Sequence, residues 1–82
     1  ENFTDDIQTA RDSGLSLTEA SSVVAQTSLG LSSGIGKSQS AANAAASVQG
    51  VSRQDTIAKQ DAALKLSNSV AERLGTNEGL QT

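Results

Sequence analysis

The chain has 82 residues, of which only seventeen are Leu, Ile, Val or Phe, and it carries a net charge of −3 with neither Cys nor His. The missing thiols and imidazoles argue against zinc binding and against catalysis that depends on Cys or His, so we expect no enzyme activity and no cofactor. The negative charge and the single aromatic residue argue against nucleic-acid binding. With so few large apolar side chains, we expect a small helical element that is stabilised by packing on a partner or on copies of itself.

The first helical signal lies near the N-terminus. Thr4, Asp5 and Asp6 precede the apolar Ile7, and a hydroxyl with two carboxylates suits the free amides at the start of a helix. Ser13-Gly14 interrupts this segment. A helix is predicted over about residues 16–31. It is either separate from the first segment or joined to it with a kink at Gly14, and the two make up a first arm of about residues 4–31.

A capping box opens the main part of this arm. The Ser16 hydroxyl can accept from the amide of Glu19, and the Glu19 carboxylate can accept from the amide of Ser16. Behind the box, Leu17, Val24 and Leu31 recur every seven residues. This narrow apolar stripe predicts a seam between two helices.

A turn is predicted over residues 32–37, because Gly30, Gly34 and Gly36 crowd this part of the chain. The string that ends in Gly36-Lys37-Ser38 is similar to a phosphate-binding loop. However, five residues separate Gly30 from Gly36 where that loop has four, and a capped helix precedes it in place of a strand. We therefore favour a turn that reverses the chain.

The second arm is predicted over about residues 38–74. Residues 38–49 combine high helix propensity with almost no apolar area, so a helix here must pack closely on a neighbour or fray. Gly50 is a natural stop or bend, which leaves the arm either bent or divided. Ser52 and Asp55 then form a variant capping box, with Asp in the place of Glu.

Two apolar stripes run along the rest of the second arm. At 100° per residue, the first contains Val51, Ala58, Ala62, Leu66 and Val70. The second, which points in another direction, contains Ile57, Leu64 and Ala71. Two stripes indicate a helix that contacts more than one neighbour. Leu74-Gly75 predicts a C-terminal cap, and we expect a frayed tail over residues 75–82.

These elements predict an all-α protein: a helical hairpin with a Gly/Ser-rich reversal, forming a single small domain over residues 1–82. No segment alternates with the period of a strand. No apolar run approaches the roughly 20 residues of a membrane span. Phe3, the only aromatic residue, has two interpretations, either as a cover for the open end of the hairpin or as an anchor in a partner's pocket.

In architecture, the chain resembles the small helical substrates and targeting factors of bacterial type VII secretion. The features that carry the resemblance are the capped first arm (residues 16–31), the Gly/Ser turn (residues 32–36) and the regular second arm (residues 52–74). The Trp-x-Gly turn of that family has no counterpart, because the chain has no Trp. The chain also resembles the subunits of type III secretion needles and of pili. Both resemblances imply a secreted or extracellular bacterial protein that binds helices.

Three functions remain open on this basis. The first is an interaction protein of a specialised secretion pathway, which pairs with a partner helix or with itself. The second is a structural subunit that polymerises into a needle or pilus filament, and the third is a helical segment excised from a larger protein. We expect association with a protein, and not with a small-molecule substrate, through seven residues: Phe3, Leu17, Val24, Leu31, Ile57, Leu64 and Leu66.

Overall fold

A computed structural model describes residues 3–81, and it describes their side chains as far as residue 75. The helices are α1 (Thr4–Asp12), α2 (Leu17–Ser32), α3 (Lys37–Ala46) and α4 (Arg53–Gln81). The described residues form no strand, so the all-α prediction is confirmed. The two-helix hairpin is not confirmed, because each predicted arm consists of two separate helices.

Glycines in a left-handed conformation end α1 and α2. Gly14 has φ +116°, its amide donates to Arg11 O (3.0 Å), and the amide of Leu15 donates to Ala10 O (3.1 Å). These two bonds form a Schellman motif, which satisfies the last carbonyls of a helix. The same motif recurs twenty residues later at Gly34, with φ +86°. Gly14 therefore ends α1 and does not kink a continuous helix, while the predicted turn between α2 and α3 is found.

The predicted capping box of α2 is confirmed. The amide of Glu19 donates to Ser16 Oγ (3.1 Å), and the amide of Ser16 donates to Glu19 Oε1 (2.8 Å). The same carboxylate lies 3.3 Å from Lys59 Nζ on α4. This one side chain therefore both caps α2 and attaches it to α4.

The start of α4 is capped in a related way. The amide of Asp55 donates to Ser52 Oγ (3.1 Å), as predicted, but the Asp55 carboxylate accepts from the amide of Val51 (2.9 Å) and not from that of Ser52. The amide of Gly50 donates to Thr56 Oγ1 (2.8 Å). A Cβ atom at position 50 would lie 2.7 Å from the Thr56 amide nitrogen, so only glycine fits. Gly50 thus belongs to a closed junction that divides the second arm.

α4 does not end at Leu74-Gly75, where the sequence predicts a cap and a frayed tail. It continues to Gln81, and Gly75 lacks the positive φ of a left-handed cap. A glycine inside a helix costs about 1 kcal/mol relative to alanine, whereas extending an existing helix by one residue is close to neutral. A long preceding helix can therefore continue past this position. Residue 82 and the side chains of residues 76–82 lie outside the described part.

α2 runs parallel to α4. Glu19 lies against Lys59, and Thr27 Oγ1 is 2.7 Å from Ser67 Oγ. Both pairs are forty residues apart in sequence, so the two helices advance in the same direction at the same rate.

α3 runs antiparallel to α4. At its N-terminal end, Lys37 Nζ lies 3.4 Å from Glu72 Oε1. Just beyond its C-terminal end, the Val48 carbonyl accepts from Gln60 Nε2 (3.1 Å). The chain therefore reverses direction between α2 and α3, as predicted for the Gly/Ser-rich turn.

α1 is also antiparallel to α4. Arg73 Nε donates to Asp6 Oδ2 (2.7 Å) near the start of α1, while Ser13, just past its end, lines the same groove as Ala62. Phe3 packs, half-buried, against the core at this end of the molecule. α4 consequently contacts all three of the other helices, and α2 contacts both of its chain neighbours.

Alanine dominates the core. The buried apolar residues are Ala10, Leu15, Ala20, Val23, Ala41, Ala44, Ala45, Val48, Ala62, Ala63, Leu66, Val70 and Ala71. Small side chains let helix backbones approach closely, but each removes little apolar area from water. Close packing of small residues therefore holds this fold together, with few large aliphatic contacts.

A buried pair of hydroxyls joins α2 to α4 inside this core. Thr27 and Ser67 are both fully buried. Thr27 Oγ1 also lies 2.8 Å from the Val23 carbonyl, to which it donates. Since a hydroxyl has one proton, Ser67 must be the donor in the 2.7 Å bond to Thr27. The pair is thus fully directed, from Ser67 to Thr27 to the α2 backbone.

We expect Thr27→Val to lower the free energy of unfolding by about 1–3 kcal/mol, because it leaves the buried Ser67 hydroxyl without its acceptor. Ser67→Ala should cost less, since Thr27 keeps its bond to Val23. The double variant should be more stable than the two single effects predict when added together. Urea unfolding of the four proteins measures this coupling, and strictly additive effects would contradict it.

Glu19 makes the stability of the fold depend on pH. The backbone amide of Ser16 lowers the pKa of Glu19 below 4.5; partial burial opposes this shift, and Lys59 adds to it. A carboxyl group with a lowered pKa in the folded state stabilises the protein fully above its unfolded pKa. This stabilisation is lost as the pH falls through the lowered value. We therefore expect the free energy of unfolding to decline below about pH 4.5.

Glu19→Gln should remove part of that decline. Urea unfolding across this pH range compares the variant with the original chain. An identical loss of stability in the two proteins would exclude Glu19 as a source.

Candidate interaction surface

The structure separates the seven residues predicted to mediate association. Four are buried or half-buried within the fold: Phe3, Val24, Leu31 and Leu66. Three remain exposed: Leu17, Ile57 and Leu64. Of the seven, Leu66 belongs to the core and is only 3% exposed, so it has almost no surface to offer a partner.

The seam predicted along α2 is rotated from the face that is actually buried. Its buried residues are Ala20, Val23 and Thr27. Leu17 is 53% exposed, and Val24 and Leu31 are half-buried at the edge of this face. The close approach of α2 and α4 admits small side chains at the centre of the contact and leaves larger ones at its margin. Leu17, Val24 and Leu31 do recur along one side of α2, but these larger residues do not mark the centre of its buried face.

α4 has two differently oriented apolar faces, as its sequence pattern predicts. Ala62, Leu66 and Val70 are buried, whereas Ile57 is 58% exposed and Leu64 is 38% exposed. Residues seven apart lie within about 20° of each other around a helix and about 10 Å apart along it. Ile57 and Leu64 thus form an outward stripe, which we call the outer α4 face.

The exposure of two alanines on α4 differs from what the predicted stripes imply. Ala58, expected with the buried stripe, is exposed. Ala71, expected with Ile57 and Leu64, is 3% exposed and belongs to the packed interior. α3 packs on α4 and lies near this level through the Lys37–Glu72 pair, so the fold itself covers part of the second stripe.

A motif at the helix junctions emerges from the structure. It consists of Gly, an aliphatic residue, Ser or Gly, two further residues and then Glu, Gln or Asp. It occurs at residues 14–19, 34–39 and 50–55. Its aliphatic residue is 3% exposed at Leu15, 36% exposed at Ile35 and 99% exposed at Val51. Recurrence of this pattern was the sequence signal that could have identified Val51.

Val51 is exposed on an ordered backbone. Its amide bonds to the Asp55 carboxylate, and the neighbouring Gly50 amide bonds to the Thr56 hydroxyl. An aliphatic residue just before an N-cap commonly packs on the first turn of its helix, and Leu15, at this position before α2, is buried in the core. Val51 makes no such contact, so the junction presents an apolar side chain to solvent.

A groove of about 260 Å³ lies between α1 and α4. It is lined by Asp6, Thr9, Ala10, Ser13, Ala62, Lys65, Leu66 and Ser69. Its two charged groups are paired, Asp6 with Arg73 and Lys65 with Asp61. No imidazole or thiol is present to activate its hydroxyls. In the part of the chain that the structure describes, no three acidic side chains come together as metal ligands.

The glycine string around residues 30–38 forms a helix junction. Gly34 closes α2, Gly36 precedes α3, and Lys37 lies against Glu72. This arrangement accounts for the turn-prone composition without a bound phosphate.

Comparison of the chain with protein-family models, with curated proteins and with solved structures finds no match. Among the described residues, no helix is both long and apolar enough to cross a membrane. The surface features described above are therefore the basis for a functional assignment.

Proposed function

We propose that this chain is a non-enzymatic interaction protein whose outer α4 face packs against a helix of a protein partner. The observation that carries the proposal is the exposure of Ile57 and Leu64 on one stripe, in a chain whose own core is built mainly from alanine. Isolated exposed aliphatic residues are common on protein surfaces. A pair at i and i+7 on a long, regular helix is the arrangement that helix-in-groove recognition uses.

The size of this surface favours a modest affinity. Burying the remaining exposed area of Ile57 and Leu64 contributes at most a few kcal/mol at about 25 cal/mol per Å². Val51, at the N-terminal end of the same helix, offers a further apolar contact on a backbone that is already ordered. Because little ordering is required on binding, more of the contact energy is retained as affinity.

The proposed setting is a bacterial specialised secretion pathway, which rests on the sequence resemblance alone. The alternatives are a subunit of a needle or pilus filament and a helical segment of a larger protein. They differ in assembly state. Light scattering on the purified chain distinguishes long polymers from a defined complex and from a monomer.

A pair of leucine variants tests the outer α4 face. Leu64→Gln removes an exposed aliphatic group and preserves helix propensity, so we expect association to weaken by about 1–3 kcal/mol with nearly unchanged helicity. Leu66→Gln is the matched control, since it places a polar group in the core and should lower stability as well. Sedimentation equilibrium measures self-association, and circular dichroism measures folding.

For a partner other than the chain itself, a photo-crosslinking residue at position 57 or 64 should give a defined adduct in the native cells. The same residue at Ser21, an exposed position on α2, should not. The outer α4 face is not the binding surface if Leu64→Gln leaves self-association unchanged and the crosslinks at positions 57 and 21 are the same.

A further inference from the structure

α3 buries only small side chains. Its buried residues are Ser40, Ala41, Ala44 and Ala45. The other helices bury larger groups in the core or pack them against it, such as Ile7 of α1, Val23 of α2 and Leu66 of α4. Since hydrophobic stabilisation follows the apolar area removed from water, α3 gains little from each residue that it buries.

The contact between α3 and α2 also contains an unsatisfied polar group. Ser40 Oγ is buried and has no hydrogen-bond partner. It faces Gly30 of α2, where an added Cβ atom would lie 3.3 Å from the Ser40 Cβ atom. A buried hydroxyl without a partner loses its bonds to water and gains none in return. Opening this contact restores those bonds, which favours the open state.

The ends of α3 are weakly attached by comparison with its neighbours. Its N-cap is Gly36, which supplies no side-chain bond, whereas Ser16 and Ser52 cap α2 and α4. The Lys37–Glu72 ion pair is largely exposed and therefore contributes little. Only the C-terminal end has a firm attachment, through buried Val48 and its bond from Gln60.

The contacts that join the other three helices do not involve α3. Thr27–Ser67 and Glu19–Lys59 join α2 to α4, and Asp6–Arg73 joins α1 to α4. α1, α2 and α4 therefore keep their directional contacts when α3 moves.

We propose that α3 is a displaceable strap. It detaches from α2 and α4 as a unit, while α1, α2 and α4 stay packed and the closed junction at residues 50–56 still caps α4. The detachment uncovers the α2–α4 surface that α3 occupies. The fold thus has a surface that is available only in the open state.

Hydrogen–deuterium exchange of the intact chain tests the strap directly. We expect the amides of α3 to exchange about 100-fold faster than the central amides of α2 and α4, with a weak dependence on urea, as for a local opening. Equal protection of α3 and α4, with the same urea dependence, would overturn the proposal.

Two variants of Ser residues within α3 provide a matched comparison. Ser40→Ala removes the unsatisfied hydroxyl and should slow exchange in α3 by about tenfold without changing α4. Ser38→Ala makes the same chemical change at an exposed position of the same helix and should have a smaller effect. If Ser40→Ala slows α2, α3 and α4 equally, the strap does not open separately.

A disulfide between α2 and α3 tests the opening motion independently of the alanine variants. In the double variant Gly30→Cys and Ser40→Cys, the two Cβ atoms would lie 3.3 Å apart, a few tenths of an ångström closer than the roughly 3.5–4.5 Å of natural disulfides, and the chain has no other Cys. Oxidation should reduce exchange in α3 towards the rate in α4, and reduction should restore it. If oxidised and reduced forms exchange alike in α3, detachment from α2 is not the opening motion.

Discussion

The hydrogen bond between Thr27 and Ser67 is the constraint on which the arrangement of the other helices depends. Alanine contacts stabilise helix packing but are nearly equivalent along a helix, so they define the relative position of two helices poorly. A buried donor and acceptor must meet, because leaving either unsatisfied is costly. The bond joins residues that are forty apart in sequence, and so does the Glu19–Lys59 ion pair. Together they fix α2 parallel to α4, and the short junctions then allow only antiparallel directions for α1 and α3.

The alanine core links this packing to the surface proposed to bind a partner. Close helix approach excludes large side chains from the centre of each contact, which explains why Leu17 is exposed while Ala20 is buried. Several of the larger aliphatic residues consequently lie at margins and on outward faces, whereas Leu15 and Leu66 are buried. On α4 this arrangement leaves Ile57 and Leu64 on one stripe. The packing that fills the core with small side chains therefore also leaves the apolar stripe that we propose as a binding surface.

The sequence predicted local features better than packing. The caps at Ser16 and Ser52 were predictable, because each requires only residues within one helical turn. The two orientations of α4 followed from its periodicity. The end of α1 at Gly14 was left open, since glycine is compatible with both a kink and a left-handed cap. The buried face of α2 was misplaced because the pattern gave leucine and valine more weight than alanine and threonine, whereas the distance between helices decides which of them fits.

The junction between α3 and α4 connects the proposed strap to the ordered first turn of α4. The bonds of Gly50 and Val51 belong to the first turn of α4, and no bond in that set reaches α3. Movement of α3 is therefore accommodated before Gly50, between the end of the helix and the buried Val48. Val51 and the outer α4 face keep their geometry whichever position α3 takes. The proposed binding surface is consequently ordered whichever position α3 takes, whereas the exposure of Ala71, which continues the same stripe, depends on α3.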